Sequence, residues 1–578
     1  MVVVSSGDGG SVNSTNEIIL LTGYAAKQCA RRIHNKWDPT ISKVEWEPSA
    51  EVQRFLDEGI AYEAEVLEAL ATELGDSVVQ IPENLYKENA IRATFDAMTA
   101  KAPVIARGWL PDDIQGGRTG RPDLLVLAED EKGNSFYAPG DIKAHRTVKA
   151  VASGNLTYSV ASLPSELREY SGLAEEVSGC YDDFIQLAHY SRMIDAAGFG
   201  PSSEKRIGFI IGRDDLIEQL GSDYIFVWHD LMKPLFKTFS ASLGSRKRSA
   251  LERYDHEHNF RVKVAQVAVT RTGSPNDPEP LVQPIGQAEC TECLWQSTCS
   301  PLLEGMASGD ITSGALSVRE WLTLQHMGVT TTQDLAELDL TDQSWMEDYL
   351  KRVPHQSSAS KRLADAVTRG TMVQTGELLR RLDDTPLEIP RADIEIDFDI
   401  EWDEQDRVYL WGARARQGQD DSTAHYKSFC SWVPLDEPTE RALAQEFAEW
   451  LGQEIQNATT QGKSVSVYHY TSPEPRYLRK ILGEEQTANL IEHFVDLHTL
   501  MRENFIGLHG LGIKKIAPAV GFTWRDEDPG GLQSQTWLKE ARAGSGAHNE
   551  AARNRILSYN EDDVTATAAI RDGLAQYI

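Results

Sequence analysis

Two carboxylates and an ammonium suited to phosphate chemistry occur in GRPDLLVLAEDEKGNSFYAPGDIKAH, where Asp123 closes one turn and Asp141 and Lys143 stand two residues apart. Residues two apart on a strand share a face, and an adjacent antiparallel strand can bring Asp123 alongside them. Two carboxylates can hold a magnesium ion that activates water, while a nearby ammonium positions the nucleophile or stabilises the charge developing on phosphorus. Phosphodiester hydrolysis needs that combination. Upstream, EGIAYEAEVLEAL reads as a helix that can supply Glu63 as a further ligand. Downstream, DDFIQLAHYSRMI puts Gln186 and Tyr190 at i and i+4 on one helical face.

A second acidic set lies towards the C-terminus. In DIEIDFDIEW the apolar residues Ile394, Ile396, Phe398 and Ile400 alternate with acids, so Asp399 and Glu401 project from one face of a strand. Paired carboxylates there are costly unless they are solvated or hold cations. Further on, SYNEDDVTATAAIRDGL reads as a helix with Tyr559 and Asp563 one turn apart. A third cluster is ECTECLWQSTCS, which places Cys290, Cys293 and Cys299, three of the six cysteines, within ten positions. In a reducing compartment this clustering favours a metal site over disulfides, and thiolates can hold tetrahedral zinc or an iron-sulfur cluster. Cys180 and Cys430 have no clustered neighbours and read as core residues.

These groups must be positioned by several domains, because 578 residues exceed one ordinary core. The expected organisation is a disordered tail over 1–17, a first domain over 18–303, short helices over 304–388 and an α/β domain over 389–578. The first domain reads as mainly helical, interrupted by one clear hairpin with EKGNS as its turn. In the next segment SVREWLTLQHMGVTTTQDLAELD reads as helix, glycine turn, helix. From residue 389 the strands ADIEIDFDIEW, RVYLWGARAR and SVSVYHY precede helices. The start lacks a basic segment and an apolar core, and no run of about 18 apolar residues occurs, so a cytoplasmic chain without membrane contact is expected. No long-period repeat is present. QGKS at 461–464 lacks the first glycine of a phosphate loop at the needed spacing. A net charge of −31 argues against nucleic-acid binding by a general basic surface, but not against a nuclease whose metal sites are themselves acidic.

In order, G-x-x-Y-E, G-R-P-D, D-I-K and Q-x-x-x-Y over residues 18–303 resemble the RecB-like branch of the PD-(D/E)XK nucleases, with a restriction-endonuclease-like core. The resemblance implies Asp123, Asp141 and Glu63 as metal ligands, Lys143 as the catalytic lysine, and Gln186 and Tyr190 as supporting site residues. It also implies a 4Fe-4S cluster held by one cysteine before the core, Cys29, and by Cys290, Cys293 and Cys299 after it. Tyr62 stands where the family often has histidine, and Asp141 where many members have glutamate.

The strand D-x-E and the distant helical Y-x-x-x-D resemble the DnaQ-like exonucleases of the RNase H-like fold over residues 389–578. That resemblance implies four acids of the DEDD type holding two metal ions: Asp399, Glu401 and Asp563, with Glu474 in VYHYTSPEPRYLRKIL as the fourth and Asp496 in FVDLHTLMR as its alternative. Tyr559 would orient the attacking water. The whole order resembles a bacterial family of RecB-like nucleases, some fused to helicases. The expectation is therefore a magnesium- or manganese-dependent DNA exonuclease acting on single-stranded ends in repair or defence, with a helicase as a possible separate partner. Arg118, Arg121, Arg146 and Lys149 near the first site, and Arg476, Arg479, Lys480, Lys514 and Lys515 near the second, are candidate phosphate contacts. A non-catalytic iron-sulfur scaffold and an RNA-processing exonuclease are the two alternatives.

Overall fold

The computed structural model describes residues 18–577, apart from positions 46, 178, 215, 241–243, 313, 315, 404, 527–530 and 545. The tail expected over 1–17 lies outside the described residues. The chain is mixed α/β and forms two compact units, one reaching Pro284 and including Glu289–Pro301, the other made of Ile285–Ala288 and Leu302–Ile578. No helix among the described residues is long and apolar enough to cross a membrane.

The N-terminal unit is built on an eight-stranded sheet. Its strands are β1 (Val78–Gln80), β2 (Val104–Ala106), β3 (Leu124–Glu129), β4 (Ser135–Lys143), β5 (Val148–Val160), β6 (Leu163–Glu175), β7 (Ile207–Gly212) and β8 (Ile225–Asp230), in the order β1-β2-β3-β4-β7-β8-β5-β6. The hairpin read from the sequence is β3–β4, paired antiparallel from Leu124↔Gly140 to Glu129↔Ser135. The expectation of a helical half interrupted by one hairpin misses most of this sheet. β5 and β6 form a long two-stranded ribbon with mixed, largely exposed faces that carry no clean alternation, and IGFIIG of β7 is a short apolar run whose period cannot separate strand from helix. β9 (Phe236–Ser240) and β10 (Gly244–Arg248) add a small separate ribbon.

Helix α1 (Ala30–Trp37) precedes α2 (Ala50–Leu74), whose Tyr62, Val66, Leu67 and Leu70 cover one face of the sheet against Val126, Ala138 and Phe209. Helices α3 (Lys87–Thr99) and α4 (Tyr181–Ala196) cover the other face, with Met98, Tyr190 and Met193 against Leu125 and Tyr137. Gly140 is required where β4 runs parallel to β7, because a Cβ there would fall 2.0 Å from the Phe209 ring.

The other unit begins with short helices. Val318–His326, Gln343–Arg352 and Ala359–Thr375 enclose Trp321, Leu324, Tyr349 and Leu363, and the first helix starts in a Ser317–Glu320 capping box. β11 (Leu379–Arg381) pairs with β17 (Phe505–Gly507). Between them lies a five-stranded sheet of β12 (Ile394–Trp402), β13 (Val408–Gln417), β14 (Asp420–Cys430), β15 (Val465–His469) and β16 (Phe494–Asp496), in the order β14-β13-β12-β15-β16. The first three strands are antiparallel, while β15 and β16 run parallel to β12. Helices Glu437–Thr460 and Pro473–Leu482 bury the apolar face of β12 through Phe447, Leu451 and Leu478. The helix Ala547–Gly573 packs against the sheet near the acidic residues of β12 and begins well before the stretch read as helical from the sequence.

Candidate active sites

In the N-terminal unit the β3–β4 register sets Asp123 next to Asp141. The Ile142 N–H donates to Asp123 Oδ2 at 2.8 Å, locking the first carboxylate to the second strand. Asp141 is fully buried, and neither carboxylate oxygen accepts a hydrogen bond with good geometry, although Lys143 Nζ lies 2.9 Å from Oδ2 as an ion pair. A buried carboxylate with unused lone pairs fits a cation-binding role. Gln186 Oε1 accepts from Lys143 Nζ at 3.3 Å and from Lys27 Nζ at 3.1 Å, and its Nε2 donates to the Tyr190 hydroxyl at 3.2 Å. Glu63 accepts from Arg107 Nε at 3.3 Å. The Tyr62 hydroxyl points to the Gly212 carbonyl at 2.7 Å, so it serves packing between α2 and β7.

Electrostatics bind these groups together. Burial, then the neighbouring Asp141 and Glu63 charges, pushes the Asp123 carboxyl well above the usual carboxylate range. Burial alone would lower the Lys143 ammonium, but Asp141, Tyr24, Asp123 and Asp183 outweigh it and hold the pKa well above the usual value. Lys143 is therefore cationic across the physiological range. Sequence reasoning missed Lys27, Tyr24, Arg107 and Asp183. Lys27 and Tyr24 lie in GYAAKQC beside the cysteine of interest, but only the fold shows them facing the acids.

In the other unit Asp399, Glu401 and Asp563 each offer a carboxylate oxygen within 4.8 Å of the others. Each accepts from a neighbouring side chain: Asn560 Nδ2 to Asp399 Oδ2 at 2.9 Å, Ser534 Oγ to Glu401 Oε2 at 2.8 Å, and Trp524 Nε1 to Asp563 Oδ1 at 2.7 Å. Gly412 stands opposite Asp399 on β13, and a Cβ there would fall 1.6 Å from Asn560 Oδ1. Burial, then Asp563, raises the Glu401 carboxyl to about 8, and burial raises that of Asp563 to about 6 against the pull of Lys514 and Trp524. The Asp399 carboxyl is pushed up by burial and then by Asp563, Glu401 and Glu474. Three mutually repelling acids, Glu401 and Asp563 buried and Asp399 half-buried, fit a divalent cation. The Tyr559 phenol is driven upward by burial and by the same acids, and Lys514 Nζ hydrogen-bonds its oxygen.

Glu474 is 3 % exposed, its Oε2 accepts no hydrogen bond and lies 3.7 Å from His469 Nδ1, and it raises the pKa of Asp399 electrostatically, so its charge acts on that one acid of the triad. It is delivered by the bend between β15 and Pro473–Leu482, where Thr471 adopts φ +85°, a strained conformation for a β-branched residue. Asp496, the alternative, caps the helix Leu497–Asn504: its carboxylate accepts from the N–H groups of Thr471, His498 and Thr499 and from the Thr499 hydroxyl. Its acceptors are engaged by the fold itself.

Several basic residues read as phosphate contacts have internal partners. Arg118 is bound to Asp113 and Tyr254, Lys149 to Glu176, and Lys480 to Asp406. Arg476 stacks on Tyr477, while Arg479 lies 3.3 Å from Glu484 and is partly exposed. Arg146 and Lys515 are exposed and Arg121 is half-buried. Around the cysteines, Cys29 is the N-cap of α1, Arg32 lies 3.6 Å from Glu289, Asn35 Nδ2 is 3.4 Å from Cys299 Sγ, and the Trp295 N–H is 3.4 Å from Cys293 Sγ. The start of the unit is thereby packed against the three-cysteine segment, and none of the six cysteines is joined in a disulfide.

A family model described as RNase H superfamily matches residues 396–575. The match spans all five strands of the second sheet and every acid of its cluster. No curated protein and no solved structure matches the chain. The C-terminal domain is RNase H-like, a nuclease-type fold.

Proposed function

We propose that the chain is a metal-dependent nuclease that hydrolyses phosphodiester bonds of DNA from single-stranded ends, with an acid-lined centre in each unit. The observation that carries this reading is the convergence of Asp399, Glu401 and Asp563 on an RNase H-like fold. With Glu474 these residues would hold magnesium or manganese, which when bound stabilises the attacking and leaving oxygens. The chain's own groups do the positioning. Asn560, Ser534 and Trp524 fix one carboxylate each, and Tyr559, kept neutral, keeps its hydroxyl for orienting water beside Asp563.

The N-terminal unit would form a PD-(D/E)XK-type centre, with Glu63, Asp123 and Asp141 as ligands. Lys143 supplies a permanent positive charge next to them, and Gln186 and Tyr190 fix where it lies. Arg121, Arg146, Arg479 and Lys514 would meet phosphates. Cys29, Cys290, Cys293 and Cys299 would hold a 4Fe-4S cluster. The N–H groups of Asn35 and Trp295 beside two of the sulfurs support this, since such hydrogen bonds tune cluster thiolates. A separate helicase would supply any unwinding.

The test is degradation of end-labelled single-stranded DNA and matched RNA in manganese, with anaerobically purified wild type, Lys143→Ala and Asp399→Ala in parallel. Loss only in Lys143→Ala assigns the work to the N-terminal unit, and loss only in Asp399→Ala assigns it to the RNase H-like domain. Cleavage of RNA alone refutes the DNA assignment. A wild type that cleaves neither substrate refutes the enzyme.

A further inference from the structure

His145, Cys180 and Asp183 form a ligand set of a different chemical kind from the carboxylate centres. His145 follows β4 by two residues, Cys180 is the N-cap of α4, and Asp183 lies in its first turn. His145 Nε2 is 3.0 Å from Asp183 Oδ2 and 3.8 Å from Cys180 Sγ, and one donor atom of each residue lies within 4.8 Å of the others. Tetrahedral zinc, with bonds of about 2.0–2.1 Å to nitrogen and oxygen and about 2.3 Å to sulfur, separates N from O by ~3.3 Å and N from S by ~3.6 Å. The observed separations of 3.0 Å and 3.8 Å lie within about 0.3 Å of those values.

Both contacts converge on the same ring nitrogen. A nucleophilic cysteine relay needs its acid and its thiol on opposite nitrogens of the imidazole, so this arrangement does not build one. Burial first, then Asp183 and Asp214, pushes the Cys180 thiol up to about 12, which leaves it inert unless a cation replaces its proton. Its other polar neighbour, the Arg146 carbonyl, is 4.0 Å away. Cys180 is 1 % exposed and the Asp183 side chain 7 %, whereas the His145 side chain is 47 % exposed. Two ligands are thus fixed from inside, and the third opens to solvent.

We propose that His145 Nε2, Cys180 Sγ and an Asp183 carboxylate oxygen bind a borderline transition-metal dication, with zinc as the best match and a fourth position open to water. Uptake forms a metal–thiolate bond and releases the thiol proton to solvent. The ion ties the end of β4, which carries Lys143, to the start of α4, which carries Gln186, and so acts as a positioning element. It takes nitrogen and sulfur donors that magnesium does not favour. The inference does not depend on the proposed nuclease function.

The experiment uses the full chain, stripped with a chelator, dialysed against zinc or cobalt(II) and desalted. Metal per chain is measured in wild type, His145→Ala and Cys180→Ser. Wild type should exceed His145→Ala by about one equivalent, the difference being insensitive to metal bound at Cys29, Cys290, Cys293 and Cys299. The cobalt difference spectrum of wild type minus His145→Ala should contain a thiolate charge-transfer band, and that of Cys180→Ser minus His145→Ala should not. Equal zinc content in wild type and His145→Ala overturns the proposal, as does a difference spectrum without the band. Because His145 is half-exposed, its alanine variant keeps the fold, and that pair alone decides if Cys180→Ser does not fold.

Discussion

Glu401→Gln should stabilise the metal-free protein, and the size of the gain follows from the site. The Glu401 carboxyl titrates at about 8 in the folded chain, raised from 4.5 by burial and then by Asp563. A raised acid contributes stability that is present below the unfolded value near 4.5 and is lost as pH rises through about 8. Near pH 7.5 about three units of that window have been crossed, and at about 1.4 kcal/mol per unit the folded state carries a penalty on the order of 2–4 kcal/mol. Glutamine removes the charge and still accepts the Ser534 hydroxyl hydrogen bond. For a unit of this size the gain corresponds to a rise in Tm of roughly 5–10 °C. The assay is thermal unfolding followed by circular dichroism, near pH 5 and pH 7.5, in chelator and in manganese. The variant should exceed wild type in chelator near pH 7.5 and match it near pH 5. Manganese at 100 times its Kd should raise the transition of the unit that holds Glu401 only in wild type, by about 2.7 kcal/mol. A variant less stable than wild type near pH 7.5, or a gap that does not change with pH, refutes the picture of mutually repelling acids awaiting a cation.

Three further perturbations separate site from scaffold. Lys143→Ala leaves buried Asp141 without its ion-pair partner and should cost about 3–5 kcal/mol in chemical denaturation, while adding Asp141→Asn should recover most of it; additive effects would refute the coupling. Gly412→Ala drives a methyl into Asn560 and should cost about 1–3 kcal/mol and abolish the manganese-dependent rise in the transition of its own unit, because Asn560 no longer holds Asp399. Asp496→Ala removes a helix cap and should cost about 1 kcal/mol while the manganese response remains; loss of that response would make Asp496 a ligand after all.

Local chemistry was legible in the sequence wherever spacing alone fixed proximity. The β3–β4 hairpin, the Gln186–Tyr190 pair and the Asp399–Glu401 pair each follow from a period of two or of one helical turn, and each is present. What stayed hidden depends on long-range pairing. Nothing in GYAAKQC announces that Lys27 will share the Gln186 carbonyl with Lys143, because 159 residues separate the partners. The ribbon β5–β6 escaped because strands exposed on both faces need no alternation. Glu474 stands ahead of Asp496 in the sequence only through the resemblance; in the structure the N–H groups of Thr471, His498 and Thr499 engage Asp496, whereas Glu474 Oε2 accepts no hydrogen bond and has His469 Nδ1 3.7 Å away.

β12 shows most sharply how the partner decides the role of a residue. Glu395, Asp397, Asp399 and Glu401 alternate along one strand face and are indistinguishable by pattern, yet two are structural and two are available to a cation. Arg571 and Arg416 bind Glu395, and Arg571 also binds Asp397, all of them buried, so that half of the strand is neutralised within the protein. Asp563 faces the other half and adds negative charge instead. Eight helical residues separate Asp563 from Arg571, a rise of about 12 Å. Four strand residues separate Glu395 from Asp399, a rise of about 13 Å. The helix Ala547–Gly573 therefore runs antiparallel to β12 in near register and delivers an arginine to one pair of acids and an aspartate to the next. The buried ion pairs anchor that register, and the same register is what brings Asp563 to Asp399 and Glu401. The charge-matched half of the strand fixes the geometry in which the charge-mismatched half can bind an ion.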